Sequence, residues 1–345
     1  MRTTEEKSLV VAPQWIGDAV MTEPLLRRLA QRGEHLTVGA LASVAPVYRA
    51  MPQVQEVIEF PFAHGRLQLN ARRAMSKQLE GRFDTAYVLP NSLKSALLPF
   101  LASIPKRVGY LGEGRVGLLT HRLKNPDGER PAMVPFYSAL SGDKVGLEHD
   151  RPQLHLPAEQ AQAALREHGL AAGGYFVFAP GAEYGPAKRW PAIHFAELAK
   201  SLDRPAVLLG SAKEAGLCHD IATAAGAGRC IDLAGKTSLA DAFALIAGAQ
   251  AVISNDSGLM HVAAAFGVAQ VALFGSSSPL HTPPLNDRAQ VIWLKQEPNY
   301  QPPLDCSPCF ERECPLGHTR CLVDISPDAV LAALRSAGRS ESPQR

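Results

Sequence analysis

Residues 251–275 read AVISNDSGLMHVAAAFGVAQVALFG, and a polar insert, SNDSGLMH at 254–261, interrupts an otherwise apolar run. AVIS has the pattern of a short buried strand, GLMHVAAAF that of a helix, and QVALFG that of a second buried strand. The insert is therefore predicted to be a strand-to-helix turn. In open parallel sheets such turns hold ligands, because helix N-termini present backbone N–H groups and partial positive charge there. The turn favours an anion, and helix capping by Asp256 or Ser257 is the alternative.

The rest of the chain repeats this alternation of short apolar runs and longer amphipathic ones. Strands are predicted in SLVVAP, HLTVGAL, VQEVIEF, DTAYVLP, KRVGY, YFVFAP, RPAVLLG, AVISN, QVALFG and QVIWL. Helical patterns between them are typical of parallel sheets with helices on both faces. The length of 345 residues fits two domains. The stretch at 147–160, rich in Pro and charge, is predicted to link them. We expect two Rossmann-like α/β domains facing each other across a cleft, at 1–155 and 156–335, and a polar tail at 336–345.

The composition excludes several classes of protein. A hydrophobic content of 46%, a charged content of 20% and a net charge of +2 describe a globular protein, neither disordered nor membrane-spanning. The N-terminal sequence MRTTEEKSLVVAP is too acidic, and its apolar run too short, for a signal peptide. We therefore expect a cytoplasmic protein in which any membrane contact is peripheral.

Charge is concentrated in one part of the first half. Residues 62–124 contain eleven basic and three acidic residues, a local balance of +8. The basic residues are Arg66, Arg72, Arg73, Lys77, Arg82, Lys94, Lys106, Arg107, Arg115, Arg122 and Lys124. Such a cluster suits an anionic partner, and solvated helix faces are the alternative. Aromatic residues do not interleave it as they do in a nucleic-acid platform, so nucleic acid is not an expected partner.

Three loops at the carboxyl ends of predicted strands carry complementary chemistry. Asp18 follows the first strand and could accept a proton from a hydroxyl. Lys188, in PGAEYGPAKRWP, supplies a cation, and SNDSGLMH supplies a helix N-terminus. Together they could stabilise a leaving diphosphate without a metal. The Asp-x-Asp pair typical of metal-bridged nucleotide diphosphates is absent from the sequence.

Six strings occur in a characteristic order and at a characteristic spacing. They are WIGDAVMTEPL, LPNSLKSALLPF, PGAEYGPAKRWP, GSAKE, NDSGLMHVAAA and SSSPLHTPPL. Over nearly the whole chain they resemble the heptosyltransferases of glycosyltransferase family nine. The resemblance implies a GT-B fold and an inverting transfer without metal or cofactor. It implies ADP-L-glycero-β-D-manno-heptose as donor and heptosyl-Kdo2-lipid A, in the lipopolysaccharide inner core, as acceptor of a second heptose. Such an acceptor implies peripheral contact with the inner face of the cytoplasmic membrane.

The resemblance also implies roles for single residues of both domains. Asp18, next to Gly17, matches the catalytic base of an acceptor-binding N-terminal domain. Lys188 matches the lysine that contacts the donor phosphates, and is the second catalytic candidate. The acceptor is expected to meet the basic stretch, with Lys94 and Arg115 as its contacts. Helix capping is the alternative role for Asp18.

The C-terminal domain is expected to hold the donor. Asp256 matches the carboxylate that binds the heptose hydroxyls, and Gly258 and His261 match positions that line the diphosphate and the sugar. Ser257 and Gly181 complete the donor-binding candidates, although a turn glycine and a satisfied core histidine are the alternatives for Gly181 and His261. The ribose contact is expected within GSAKEAG, at either Lys213 or Glu214.

Three other functions remain open at this stage. A sister heptosyltransferase acting on another core position, the first heptose included, would share the donor residues. A nucleotide-sugar epimerase on the same fold would convert the donor without any acceptor. A core-assembly scaffold or zinc-dependent interaction module would depend on the cysteines.

The cysteines form a separate pattern. Cys306, Cys309, Cys314 and Cys321 are spaced as C-x2-C-x4-C-x6-C, and Cys218 and Cys230 lie apart from them. Clustered thiols in a cytoplasmic protein favour a metal over a disulfide. The spacing is tighter than that of two C-x2-C knuckles, so a structural zinc site, a redox-sensitive disulfide and reduced thiols all remain open.

Overall fold

The computed structural model describes residues 6–63 and 65–337. The chain divides into two compact units, Met1–His155 and Leu156–Arg345. The polar tail expected at 336–345 lies outside the described residues from residue 338 onward. Among the described residues, no helix combines the length and the apolar character needed to span a membrane.

The first unit contains a parallel six-stranded sheet in the order β3-β2-β1-β4-β5-β6. Its strands are β1 (Lys7–Val11), β2 (His35–Leu41), β3 (Val54–Phe60), β4 (Thr85–Val88), β5 (Lys106–Tyr110) and β6 (His121–Leu123). Its helices are α1 (Ile16–Met21), α2 (Glu23–Gln31), α3 (Ala45–Arg49), α4 (Leu69–Leu79), α5 (Leu93–Leu101) and α6 (Met133–Ser138). The central strand β1 is apolar because helices cover both faces of a parallel sheet, and Leu9 and Val10 are fully buried.

The second unit repeats this plan in the order β12-β11-β10-β7-β8-β9. Its strands are β7 (Phe176–Ala179), β8 (Ala206–Leu208), β9 (Cys230–Asp232), β10 (Val252–Asn255), β11 (Gln270–Phe274) and β12 (Ala289–Trp293). Its helices are α7 (Ala158–Glu167), α8 (Ala192–Ser201), α9 (Ala215–Ala225), α10 (Leu239–Ala247), α11 (Gly258–Ala265), α12 (Arg320–Val323) and α13 (Pro327–Ala337). Two parallel sheets with intervening helices confirm the predicted α/β fold class.

Each sheet has one point at which the strand order reverses. It lies between β1 and β4 in the first unit and between β7 and β10 in the second. At such a point the loops that follow the two strands leave towards opposite faces and open a crevice at the carboxyl edge, where ligands of open α/β sheets bind. Asp18 lies in the first turn of α1, the helix that follows β1, and Asp256 lies in the loop after β10.

The helical segment that follows β1 is divided in the structure. Residues 16–31 form α1 and α2, which are separated at Thr22. Pro24 lies at the start of α2, where its missing N–H and fixed φ are tolerated but a continuous helix is not. The hydroxyl of Thr22 donates to the carbonyl of Ala19 at 2.7 Å, within the last turn of α1.

Candidate active site

Asp18 follows the central strand of the first sheet. It lies in the first turn of α1, where the N-terminal end of a helix favours a carboxylate, and Gly17 is buried beside it. The side chain of Asp18 is partly exposed, and its Oδ1 accepts a hydrogen bond from the hydroxyl of Tyr137 at 3.2 Å. This contact holds one carboxylate oxygen in place at the carboxyl edge of the sheet.

Two buried tyrosines lie next to Asp18. Burial raises the pKa of Tyr137 well above its usual value, and the negative charge of Asp18 raises it further. Burial likewise raises the pKa of Tyr48, which a hydrogen bond with Thr22 partly offsets. Tyr137 therefore stays protonated at neutral pH and acts as a donor to Asp18. No local sequence pattern predicts this contact, because 119 residues separate its partners.

Arg115, expected to contact the acceptor, is fully buried. Its guanidinium donates to the carbonyl of Pro90 at 2.7 Å, to Oδ1 of Asn91 at 2.9 Å and to the carbonyl of Tyr110. Arg115 thus braces the loop between β4 and α5. It cannot offer its charge to an acceptor in this conformation, which corrects that expectation.

The other basic residues of the stretch differ in their exposure. Arg72 is also buried, donates to the carbonyl of Leu67 at 2.7 Å and lies over the ring of Phe62. Lys94, in the first turn of α5, is partly exposed. Other members of the stretch are exposed, namely Arg66, Arg73, Lys77, Arg82, Arg122 and Lys124. A basic surface therefore exists, with Lys94 among its members.

In the second unit, Asn255 joins the loops that follow β7 and β10. Its Nδ2 donates to the carbonyl of Pro180 at 2.7 Å, and its Oδ1 accepts from the backbone N–H of Trp190 at 3.0 Å. The amide is fully buried, so its loss would leave both backbone groups without these partners. Asn255 lies within SNDSGLMH, but the sequence alone does not show that it bridges these two backbone groups.

Lys188 and Asp256 are brought together at this edge. The ammonium of Lys188 donates to Oδ2 of Asp256 at 2.5 Å, and the two side chains are 19% and 6% exposed. The hydroxyl of Thr282 is 3.4 Å from the other oxygen of Asp256. The pair fixes a cation beside the N-terminus of α11, which begins at Gly258 after the N-cap residue Ser257.

His261 lies on α11 and is almost completely buried. Burial lowers its pKa to about 4; the nearby charge of Asp256 opposes this shift and that of Lys188 adds to it. The imidazole is therefore neutral at neutral pH. It can accept or donate one hydrogen bond without adding charge next to the Lys188–Asp256 pair.

Three hydroxyls gather near the ends of β10 and β11. The side-chain oxygens of Ser257, Ser276 and Ser277 are buried, and none has a hydrogen-bond partner within residues 6–63 and 65–337. Buried hydroxyls normally find partners, so these three have unused hydrogen-bonding capacity. Ser257 was predicted from the sequence, whereas Ser276 and Ser277 were not, although both lie in SSSPLHTPPL, one of the strings that carried the resemblance.

Gly181 lies where the chain leaves β7. A Cβ there would fall 1.6 Å from Oε1 of Glu214, so the position requires a glycine unless that carboxylate moves. Glu214 also accepts from the backbone and hydroxyl of Ser211, at 2.8 and 3.0 Å. Lys213 instead pairs with Glu183 on the surface. Of the two ribose candidates, Glu214 is therefore the one whose side chain lies against Gly181, while that of Lys213 is exposed.

The chemistry of this edge is that of an anion site. It combines a fixed ammonium, a helix N-terminus and buried hydroxyls, the features that bind phosphate groups. A family model described as glycosyltransferase family 9 (heptosyltransferase) matches residues 72–320. The chain belongs to glycosyltransferase family 9.

Members of family 9 match the chain over both units. Lipopolysaccharide heptosyltransferase 2 of Salmonella typhimurium is 40% identical over 348 residues, 96% of this chain and 98% of that protein. The structure of Escherichia coli ADP-heptose lipopolysaccharide heptosyltransferase II is 39% identical, with a TM-score of 0.82 and coverage of 96% and 98%. Lipopolysaccharide heptosyltransferase 1 of Pseudomonas aeruginosa is 32% identical, over 47% of this chain and 44% of that protein. The predicted family and its GT-B fold are confirmed.

Proposed function

We propose that the protein transfers L-glycero-D-manno-heptose from ADP-L-glycero-β-D-manno-heptose to the first heptose of heptosyl-Kdo2-lipid A, in the lipopolysaccharide inner core. The observation that carries this proposal is full-length similarity, at 40% identity, to a protein named lipopolysaccharide heptosyltransferase 2. Similarity to heptosyltransferase 1 extends over about half as much of the chain. The second transfer is thus favoured over the first.

The donor would be held by the second unit. Its diphosphate would lie against the N-terminus of α11 and the ammonium of Lys188, with Gly258 allowing close approach of the backbone. The hydroxyls of Ser257, Ser276 and Ser277 supply further donors to phosphate oxygens. Asp256 and neutral His261 would bind heptose hydroxyls, and Glu214 the ribose.

The transfer step would use Asp18 as the general base. Asp18 removes the proton from the attacking hydroxyl of the acceptor heptose, and that oxygen bonds to the anomeric carbon as the bond to the ADP oxygen breaks. Attack on the face opposite the leaving ADP inverts the anomeric configuration. Lys188 and the dipole of α11 stabilise the charge that develops on ADP, so the step itself needs no metal ion. The rate should accordingly be the same with and without added Mg²⁺ or Mn²⁺.

The acceptor would be held by the first unit. Its phosphates and acid sugars suit the exposed basic residues, Lys94 included. The lipid portion of the acceptor would bring the enzyme to the cytoplasmic face of the inner membrane by peripheral contact.

The deciding experiment supplies ADP-heptose together with purified Kdo2-lipid A or heptosyl-Kdo2-lipid A and analyses the products by mass spectrometry. One heptose should be added to the acceptor that already carries one, and none to the other. Addition to the heptose-free acceptor alone would assign the first transfer instead. Incubation with the donor alone is the control for epimerase activity, and ADP-heptose should be recovered unchanged.

A further inference from the structure

Four of the six cysteines surround one small cavity in the second unit. Cys306, Cys309, Cys314 and Cys321 line it, and its volume is about 20 Å³. A cavity of that size holds one water molecule or one ion. All four thiols are free. The C-x2-C-x4-C-x6-C pattern therefore folds into a single cluster around a space for one atom.

The backbone around Cys314 is shaped for a thiolate. The N–H of Thr319 donates to its Sγ at 3.4 Å. The backbone N–H groups of Leu316, Gly317 and His318 also face this sulfur. Several N–H groups directed at one sulfur stabilise negative charge there, as a loop that presents a thiolate ligand requires.

The other cysteines are held in place by neighbouring hydrogen bonds. Ser307, between Cys306 and Cys309, donates its hydroxyl to the carbonyl of Gly275 at 2.7 Å. Phe310 donates its N–H to the carbonyl of Ser276 at 2.7 Å. Both contacts tie the loop to the chain that leaves β11, so the backbone that carries Cys306 and Cys309 is held in place.

Cys321 closes the cluster from the first turn of α12. Its thiol is half-buried and lines the same cavity as those of Cys306, Cys309 and Cys314. His318 also lines the cavity, but its Nδ1 accepts a hydrogen bond from the N–H of Arg320 at 3.1 Å. The cavity is therefore a sulfur site.

We propose that Cys306, Cys309, Cys314 and Cys321 bind one divalent transition-metal ion as a tetrathiolate site, for which Zn²⁺ is the ion best suited. Four thiolates match its preference for sulfur and tetrahedral coordination. Binding converts four thiols into thiolate ligands and releases their protons to solvent. In the described part of the chain, no group of three or more His, Cys, Asp or Glu side chains is already arranged to hold a metal ion. The site therefore closes on binding, by rotation of the cysteine side chains around a preformed Cys314 loop.

The ion would act on structure and not on the transferred sugar. The cysteine loop contacts the segment before Lys188, because Ala187 donates its N–H to the carbonyl of Arg312 at 3.0 Å. The hydroxyl of Tyr184 donates to the carbonyl of Phe310 at 2.7 Å. Metal binding would therefore order residues 184–188 together with the loop 306–321.

The test measures metal content and metal binding of the full-length protein purified under reducing conditions. Wild type should contain about one equivalent of zinc or take up one equivalent of Zn²⁺ after its removal. Co²⁺ added to the metal-free protein should give the intense absorption of a tetrahedral thiolate complex. Cys314→Ser should weaken Zn²⁺ binding by more than the roughly 10–100-fold that loss of an outer partner costs. Cys230→Ser, which changes a cysteine of β9 outside the cluster, is the matched control and should bind like wild type.

Hydrogen exchange supplies a second readout on wild type alone. Removing the metal should increase exchange in 184–188 and 306–321 while leaving α9 and β9 unchanged. Wild-type protein that neither contains nor takes up Zn²⁺ would overturn the proposal, whatever the variants do. So would a Co²⁺ spectrum unaltered by Cys314→Ser, or a native disulfide between any two of the four cysteines in wild type.

Discussion

One carboxylate oxygen of Asp18 accepts a hydrogen bond from Tyr137, and the side chain is partly exposed. Partial exposure suits a base that must reach a substrate hydroxyl. We expect Asp18→Asn to lower the turnover rate by about 10²–10⁴, the contribution typical of a positioned base. The variant should bind ADP-heptose normally, because the proposed donor contacts lie in the other unit. Single-turnover rates and calorimetric donor affinity would be measured on one preparation. Asp84→Asn, an exposed site elsewhere in the first unit, should transfer normally.

A near-normal rate in a stable, donor-binding Asp18→Asn protein would contradict the assignment of the base. Asp18 would then be no more than a favourable charge at the start of α1.

The role of Lys188 in donor binding can be separated from its role in stability, because Lys188 can be changed alone or together with its partner Asp256. Lys188→Ala should weaken ADP-heptose binding by about 1.5–3 kcal/mol, the value of a charge-assisted hydrogen bond. It should also lower the free energy of unfolding, because it leaves Asp256 buried without its cation.

The control is Lys188→Met combined with Asp256→Asn, which removes both charges together. Stability should largely recover in the double variant, while donor affinity should stay low. Recovery of donor affinity along with stability, measured by calorimetry and urea unfolding, would mean that Lys188 acts only through the fold.

His261 should make stability depend on pH. Burial keeps the pKa of the folded imidazole at about 4, below the ordinary value of 6.5. The unfolded chain therefore binds a proton as pH falls through 6.5, and the folded protein does not until about pH 4. The contribution of His261 is complete above pH 6.5 and is lost as pH falls towards 4, by about 3 kcal/mol in total.

His261→Gln should flatten the dependence of the unfolding free energy on pH across this window. His149→Gln, which alters a side chain that is 82% exposed, is the control. Equal pH slopes in wild type and His261→Gln, measured by denaturant titration at each pH, would show that folding does not shift the pKa of this imidazole.

Contact between the loop after β7 and the cysteine loop is tight at Gly185. A Cβ there would lie 2.3 Å from the carbonyl oxygen of Arg312, so Gly185→Ala must push two backbone segments apart. We expect a loss of roughly 1–3 kcal/mol in stability and weaker ADP-heptose binding, because Lys188 follows in the same segment.

Gly216→Ala is the opposite case. Gly216 lies inside α9, and a Cβ at this position would have no neighbouring atom within 4 Å, so alanine should raise stability by about 0.5–1 kcal/mol. Chemical denaturation of both variants gives the comparison. A Gly185→Ala protein as stable as wild type would show that the two loops separate without cost.

The elements that sequence patterns predicted are those with long apolar runs. The ten predicted strands are present, whereas β6 (His121–Leu123) and β9 (Cys230–Asp232) were missed because they are short, half-exposed edge strands. Of the candidate site, the sequence predicted individual residues but not the contacts between them. The Lys188–Asp256 pair spans 68 residues, and no local pattern reports such a contact. The burial of Arg115 could not be predicted either. Most of its hydrogen bonds go to backbone carbonyls, which every residue has, so no side-chain pattern indicates them.

Charge over the whole molecule is nearly balanced, so the basic surface of the first unit should act through its local field. Lys94→Glu is expected to raise the KM for phosphorylated acceptor several-fold and to leave that for ADP-heptose unchanged. Rising salt should weaken acceptor binding by wild type, because the Debye length falls from about 30 Å at 0.01 M to about 8 Å at 0.15 M. Lys200→Glu, a charge reversal at an exposed residue of α8 in the second unit, is the matched control. Initial rates at several acceptor and salt concentrations give both constants. If Lys94→Glu impairs the donor instead, or if both variants raise the acceptor KM equally, the acceptor does not bind at this surface.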